Sequence, residues 1–337
     1  MYVLGIETSC DETSAAVVAE GPQVLSNIVA SQADLHARWG GVVPEVASRK
    51  HVERFWPVVR EALDAAGISL RDVTGIAVTN RPGLIGALAV GVAGAKALGY
   101  ALRVPVVGVH HLLAHLDAAF LCNPDLRYPF LGLLVSGGHT QLILCEDAET
   151  RRIIGSTRDD AAGECLDKCA RVLGLPYPGG PHIERLASRG DSSRIAFPRA
   201  WLEETCDFSF SGLKTAVLRF MQKDGGATPL EDVSAALQEA VVDVLVAKTM
   251  RAARETKVSR LVVAGGVAAN RALAAAMARA SEEAHLDLTI PPPALCTDNA
   301  AMVALSGMRR LQRGENDMPF LDAFASDPLG RRLPTSA

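Results

Sequence analysis

Residues 3–6 are apolar, residues 7–13 polar and turn-like, and residues 15–19 apolar again, which predicts two strands joined by a tight turn. Residues 24–30 predict a third strand. From residue 51 to 66 the period becomes helical, with Val52, Phe55, Val59 and Leu63 on one face and Gly67 as the stop. A strand at 73–78, a Gly/Ala-rich helix at 84–102 and a strand at 104–109 complete the order β-β-β-α-β-α-β. Small residues along the 84–102 helix suit close packing on a sheet.

The pattern restarts at residue 130. Strands at 130–135 and 141–145 flank the turn Ser136-Gly137-Gly138-His139-Thr140, and a third strand is expected at 152–155. Helical segments at 161–174 and 230–255 follow, then a buried strand at 261–264, a helix at 270–284, a strand at 286–290 and a closing helix at 299–313. LGIETSCDETSAAVV from Leu4 and LGLLVSGGHTQLILC from Leu131 both read as strand, polar turn, strand. One internal duplication is the economical reading, and it gives an α/β chain of two lobes.

The 337 residues are 49% hydrophobic and 21% charged, a globular composition with length for two cores. The 34 basic and 38 acidic residues leave a charge of −4. That argues against nucleic-acid binding by bulk charge, so an RNA partner would need a local patch, base contacts or a second subunit. Glu7, Asp11 and Glu12 stand where a signal peptide needs an apolar core. The longest uncharged apolar run, residues 84–95, is shorter than the roughly 20 residues of a membrane span. Seven cysteines without a C-x-x-C pair argue against a disulfide framework or a cysteine zinc site, and for a reducing cytoplasm.

Several constellations carry candidate chemistry. Ser136-Gly137-Gly138 lacks side-chain bulk, so its N–H groups can converge on an anion, and Thr8-Ser9-Cys10-Asp11 is its counterpart in the first half. The alternative is a plain hairpin turn. The junction Gly265-Gly266 lets a ligand approach a helix N-terminus, where Asn270 is either a ligand contact or a cap. His111 and His115, four apart on a helix, put two imidazoles within reach of one metal ion. Asp298 is a candidate third ligand, with a helix cap as its alternative role. Leu112 stands where a zinc peptidase needs glutamate. Asp159, Asp160, Glu164, Asp167 and Lys168 read as dipole and surface pairs, or Asp167 binds hydroxyls or an amine beside a Gly179-Gly180 loop. Ser209, Ser211 and Lys214 open a helix as caps or as substrate contacts. Arg49-Lys50, Arg309-Arg310 with Arg313, and Arg331-Arg332 read as solvated faces, with an RNA site as the alternative.

In series from residue 5 to 302, the segments GIETSCDET, GGVVPEVASRKH, HHLLAH, LLVSGGHTQL, DDAAGECLDK, PYPGGP, DFSFSGLKT, VVAGGVAANR and CTDNAAM resemble the universal tRNA adenosine threonylcarbamoyltransferase family, in its bacterial TsaD branch. The resemblance implies an actin/Hsp70/sugar-kinase-like fold, two ribonuclease-H-like lobes around a nucleotide cleft. Residues 1–109, with 315–337 packing back, would form the N-terminal lobe, and residues 110–314 the C-terminal lobe with the metal and adenylate sites. It implies transfer of threonylcarbamoyl from threonylcarbamoyl-AMP to the N6 amine of the adenosine beside the tRNA anticodon. His111, His115 and Asp298 would hold the metal, iron by family usage with zinc as the alternative. Leu134, Val135, Ser136, Gly137, Gly138, Asp167, Gly180, Glu184 and Asn270 would bind the adenylate, in a site that also suits ATP or ADP. Asp11 and Glu12 are candidates for taking the amine proton or orienting the amine.

Implied partners are tRNA, an inactive paralogue of the same fold (TsaB-type), a small P-loop ATPase (TsaE-type) and a threonylcarbamoyl-AMP synthase, with no membrane. A helix near 40–66 that exposes Trp39, Phe55 or Trp56 is the candidate protein interface. Arg81 replaces a usually small residue and is expected on an outer face, toward tRNA. The other readings are a glycoprotease-type metallopeptidase, which the leucine at 112 disfavours, and a switch-like ATPase or scaffold. A sugar kinase lacks support, since no segment resembles a sugar-binding insert.

Overall fold

β1 (Tyr2–Glu7) pairs antiparallel with β2 (Glu12–Ala19), and β2 with β3 (Gln23–Ser31). α1 (Ala33–His36) and α2 (Pro44–Ala66) lead to β4 (Gly75–Arg81), which runs parallel to β1. α3 (Ile85–Leu102) then leads to β5 (Val106–His110), parallel to β4, followed by α4 (His111–Asp117) and α5 (Ala119–Cys122). This computed structural model describes residues 1–326. Arg331-Arg332 and the end of the 315–337 segment lie outside the described residues.

α2 starts ahead of the expected residue 51, because Pro44 supplies the fixed φ of a first helical position. Its inward side is Ala47, His51, Val58, Val59, Ala62 and Leu63. Val52, placed on the apolar face by its spacing, is 66% exposed. A histidine takes an inward position because Thr13 Oγ1 and the Cys10 carbonyl satisfy its two ring nitrogens, at 2.8 and 3.0 Å. α3 has the length and hydropathy of a membrane span, with a mean hydropathy of 1.6 over 18 residues. Ala87, Leu88, Gly91, Val92 and Ala95 of α3 are buried against its own unit.

The second half repeats the design. β6 (Phe130–Val135), β7 (Thr140–Cys145) and β8 (Arg151–Ser156) form an antiparallel meander. α6 (Ala162–Val172), α7 (Gly179–Ala187), α8 (Ser211–Asp224) and α9 (Leu230–Thr256) come next. β9 (Arg260–Ala264) runs parallel to β6, then α10 (Arg271–Glu283), β10 (Asp287–Thr289) and α11 (Pro293–Cys296) follow. The sheet orders, β3-β2-β1-β4-β5 and β8-β7-β6-β9-β10, are the same topology used twice. Leu131, Leu133, Phe208, Phe210, Leu245 and Val263 belong to the second core. The Gly179-Gly180 pair, expected in a loop, is the start of α7.

α12 (Ala300–Gln312) returns to the first sheet. Gly5 makes this possible, since a Cβ there would lie 2.2 Å from the Ala300 carbonyl oxygen. Residues 316–324 continue along the same unit: the Asp317 N–H donates to the Val106 carbonyl at 2.8 Å, and the Phe324 N–H to the Asn80 carbonyl at 2.9 Å. The chain therefore divides into Met1–Asp125 with Thr297 onward, and Leu126–Cys296. These boundaries replace those expected at 109/110 and 314/315, and they move α4, Asp298 and α12 into the first unit.

Candidate functional site

β5 runs straight into α4, so His111 opens the helix and His115 follows one turn later, their ring centroids 4.7 Å apart. Asp298 lies just ahead of α12. Asn299 takes the capping role there, its side chain accepting the Met302 N–H at 3.2 Å. Asp298 Oδ1 is 3.0 Å from His115 Nε2 and 3.6 Å from His111 Nε2. The three ligand atoms all lie within 4.8 Å of one another. Corners of a tetrahedron with bonds of about 2.0–2.1 Å stand about 3.4 Å apart. Two imidazoles and a carboxylate at these separations fit a divalent transition metal with a coordination position left open.

A second carboxylate stands behind the first histidine. Glu7, at the end of β1, is wholly buried. Its Oε1 accepts the Ser9 N–H at 2.6 Å, and its Oε2 accepts the Thr79 hydroxyl at 2.6 Å and lies 3.0 Å from His111 Nδ1. A carboxylate at Nδ1 keeps a proton there and leaves Nε2, on the Asp298 side, as the nitrogen that gives up its proton when a metal binds. Burial pushes the Glu7 carboxyl up, but the adjacent His111 imidazole outweighs it and holds the group below the usual range. Burial also opposes charge on His111, yet Asp298 and Glu7 outweigh it and raise its pKa to about 9. The cluster attracts positive charge.

Asp11 and Glu12 flank this group at the start of β2. Burial, together with the charges of Asp298 and Asp11, pushes Glu12 up to about 9. Ser31 Oγ donates to Glu12 at 3.1 Å. The same burial and carboxylates push the Cys10 thiol well up, so it is no thiolate nucleophile at neutral pH. Burial holds His51 below the ordinary histidine value, a neutral ring that braces the turn. Arg81 is half-buried at the end of β4, paired in register with His110, and its Nη1 donates to Asn80 Oδ1 at 3.0 Å.

In the second unit the expected adenylate residues lie on one closed circuit of contacts. The β6–β7 turn is tied by Ser136 N–H to the His139 carbonyl at 2.8 Å, and by His139 N–H to Ser136 Oγ at 3.1 Å. Gly137 and Gly138 are exposed at its tip, with open space where a Cβ would stand. The first turn of α6 presses on this tip, since a Cβ on Gly163 would come within 2.7 Å of the Ser136 carbonyl oxygen. One turn on, Asp167 Oδ1 accepts the Gly179 N–H at 2.7 Å and so caps α7. From α7, Glu184 Oε1 accepts the Arg271 N–H at 2.9 Å at the start of α10. Asn270 caps α10, accepting the Leu273 N–H at 3.0 Å, and its amide donates to Gln238 at 2.8 Å. Gly265 closes the circuit: its φ is +97°, and a Cβ would lie 2.4 Å from the Val135 carbonyl oxygen.

Leu134 and Val135 are wholly buried in β6, so their side chains support the turn and only their backbone lies near it. Asp159 has a structural role. It accepts Ser209 Oγ at 2.5 Å, the Phe210 N–H at 2.8 Å and Ser211 Oγ at 2.8 Å, capping α8. Ser209 and Ser211 thus donate their hydroxyls to the carboxylate that caps the helix. Glu7, Thr79 and His51 were not singled out from the sequence. A lone glutamate closing the apolar run of β1 was the one available signal.

The family model described as tRNA N6-adenosine threonylcarbamoyltransferase matches residues 23–305. A protein of that name from Moorella thermoacetica is 53% identical over 331 residues, 97% of each chain. Another from Geotalea uraniireducens is 55% identical over 340 residues, 99% of each. Among solved structures, HypF from T. kodakarensis superposes with a TM-score of 0.62 at 15% identity, over 93% of this chain and 48% of that one. Component A of (R)-2-hydroxyglutaryl-CoA dehydratase from Acidaminococcus fermentans gives a TM-score of 0.55 at 16% identity, over 90% and 96%. Those two likenesses concern the fold alone, which is actin/Hsp70/sugar-kinase-like.

Proposed function

The chain belongs to the tRNA N6-adenosine threonylcarbamoyltransferase family, and from that premise we propose how its two groups of site residues divide the reaction. It is a transferase of tRNA modification that forms N6-threonylcarbamoyladenosine beside the anticodon, in tRNAs reading codons that start with adenine. The N6–carbonyl bond forms, the carbonyl–oxygen bond to AMP breaks, and one proton leaves the amine. AMP is already a good leaving group. The protein has to hold the phosphate, polarise the carbonyl and position the amine.

In this reading the second unit holds the adenylate. The Gly137 and Gly138 N–H groups bind its phosphate, Ser136, Asp167 and Gly180 line the approach, and Glu184 and Asn270 meet the nucleoside at the start of α10. His111, His115 and Asp298 would hold a divalent cation, which would supply Lewis acidity toward a carbonyl oxygen. Iron is our assignment for it, with zinc the alternative the same donors suit. Glu7 keeps His111 in the tautomer whose Nε2 is free to bind. Asp11 and Glu12, side by side at the start of β2, are our candidates for orienting the amine and taking its proton.

The observation that carries the metal-assisted reading is the His111–His115–Asp298 cluster with Glu7 behind it. Peptide hydrolysis is not favoured, since Leu112 is buried and apolar where a zinc peptidase carries its base. We place the protein in the cytoplasm, where a reducing environment fits the free thiols of all seven cysteines. It works there with a TsaB-type paralogue, a TsaE-type P-loop ATPase and a threonylcarbamoyl-AMP synthase. The exposed Trp39 and Trp56 support a protein interface along α2. The test is tRNA-dependent AMP release from threonylcarbamoyl-AMP by the assembled proteins, before and after chelation and again after adding Fe2+ or Zn2+. Loss on chelation and recovery with one metal are expected; release indifferent to metal would overturn the reading.

A further inference from the structure

We propose that the outward face of α8 docks the phosphate backbone of the tRNA substrate. The proposal rests on the tRNA-modifying reading above and adds a surface to it. Leu213 and Val217 point into the second core, and Phe208 and Phe210 anchor the segment just before the helix. The opposite side exposes Lys214, Thr215, Leu218, Arg219, Gln222 and Lys223. From Ser211 to Asp224 the helix carries three basic residues and one acidic one, Asp224 at its last position, whose carboxylate accepts the Thr228 N–H and hydroxyl.

The charge on this face is not neutralised by the protein. Several other basic side chains of the unit have acidic partners: Arg158 with Asp207, Lys168 with Asp160 and Glu164, Arg199 with Glu239 and Asp243, Arg251 with Glu255. Lys214, Arg219 and Lys223 have neither an ion pair nor a side-chain hydrogen bond among the described residues. Three like charges on one short helix repel one another, and a chain of net charge −4 has acidic residues to spare. A polyanion relieves that repulsion. The clusters that stood out in the sequence behave differently, since Arg309, Arg310 and Arg313 are paired with Asp117, Glu315 and Asp317.

Position relates the face to the adenylate circuit. The start of α8 is held by Asp159, and Cys165 on α6 donates its thiol to the Phe210 carbonyl at 3.4 Å. Two residues before Cys165, Gly163 touches the Ser136–Gly137 turn. The basic face thus leads away from the turn at the C-terminal end of β6. Lys257 and Arg260 lie at the opposite end of this sheet, where β9 begins. From Lys214 to Lys223 the helix rises about 14 Å, long enough to follow several backbone phosphates. Lysine, arginine, threonine and glutamine on a convex helix suit phosphate and ribose contacts, which set register without reading sequence.

The test uses the full-length protein assembled with its partners, and the triple variant Lys214→Ala, Arg219→Ala, Lys223→Ala. All three are exposed helix positions where alanine is a good helix former. Affinity for unmodified tRNA is measured across a salt series, with ADP affinity and transfer kinetics alongside. The expected result is a log K against log salt slope shallower by about 2–3, an affinity lower by about 10- to 100-fold at moderate salt, and a raised KM for tRNA with kcat retained. ADP affinity stays at the wild-type value. An unchanged slope would overturn the proposal, as would a loss of ADP binding in step with tRNA binding, which would mean a damaged fold. Failed assembly with the partner proteins at an unchanged slope would also overturn it, in favour of a protein-docking face. A wild type that binds tRNA without modifying it would sink the catalytic reading, and the salt slope would still decide on the surface.

Discussion

Replacing Glu7 by glutamine changes one oxygen to an amide nitrogen and leaves size unchanged, yet neither orientation of the amide fits. With nitrogen at the Oε1 position, it faces the Ser9 N–H, donor against donor, at the present 2.6 Å. With nitrogen at the Oε2 position, it donates to His111 Nδ1, now 3.0 Å away, and moves the ring proton to Nε2. That is the atom turned toward Asp298 at 3.6 Å, so the lone pair needed for a metal is lost. Partners behind a metal-ligating histidine are worth about 10- to 100-fold in metal affinity, or about 1.4–2.7 kcal/mol. We expect Glu7→Gln to lie in that range. Thr79→Val, which removes one neutral donor to Glu7 and leaves the carboxylate in place, should cost a few-fold at most. The assay is a competition titration of Zn2+ or Co2+ against a chromophoric chelator, with circular dichroism of the metal-free proteins as the check on folding. Folded Glu7→Gln with wild-type metal affinity would refute the tautomer argument.

Three further predictions follow from the same geometry. Gly163→Ala should push the Ser136–Gly137 turn away and lower affinity for ADP at least tenfold with little loss of metal affinity; wild-type ADP affinity in calorimetry would remove that turn from the site. Gly265→Ala combines a strained φ with a 2.4 Å approach to Val135, and should destabilise the protein by more than about 1 kcal/mol in urea denaturation. Asp159→Ala should cost about 1 kcal/mol at neutral pH as a lost helix cap. Burial pushes Asp159 up, but its bonds to Ser209, Phe210 and Ser211 outweigh that and hold its pKa below the ordinary value. Its contribution is therefore complete above the unfolded value near 3.9 and is lost as pH falls through the lower folded one. A wild-type/variant difference that persists well below that window would contradict the capping role.

Element order and the paired hairpins were legible from short continuous apolar runs bounded by polar turns, because β1, β2, β6 and β7 are buried almost throughout. The approach of His111 and His115 was legible because the two are one helical turn apart. What stayed hidden depends on contacts between distant residues. Glu7 meets Thr79 and His111 across 72 and 104 positions, and no local pattern marks a carboxylate made stable by such partners. His51 turns inward in place of Val52 for the same reason, its hydrogen bonds coming from the 10–13 turn. Gly179-Gly180 looked like a loop because glycine disfavours helix; the Asp167 carboxylate on Gly179 supplies the missing cap. The unit boundary shifted because close approach at Gly5 lets α12 pack on the first sheet. Of the basic residues of α8 only Lys214 stood out in the sequence, because the three are spread along the helix and form no run.

We propose that acyl transfer to tRNA by this chain depends on a metal centre built from His111, His115 and Asp298. The most direct test is the nucleoside mass of unmodified tRNA after incubation with pre-formed threonylcarbamoyl-AMP and the assembled proteins, for wild type and His111→Ala. Wild type should give a threonylcarbamoyl adduct on adenosine and the variant none, while the variant should still bind ADP and tRNA. An adduct formed equally well by His111→Ala, or none from a wild type shown to bind metal, adenylate and tRNA, would contradict it.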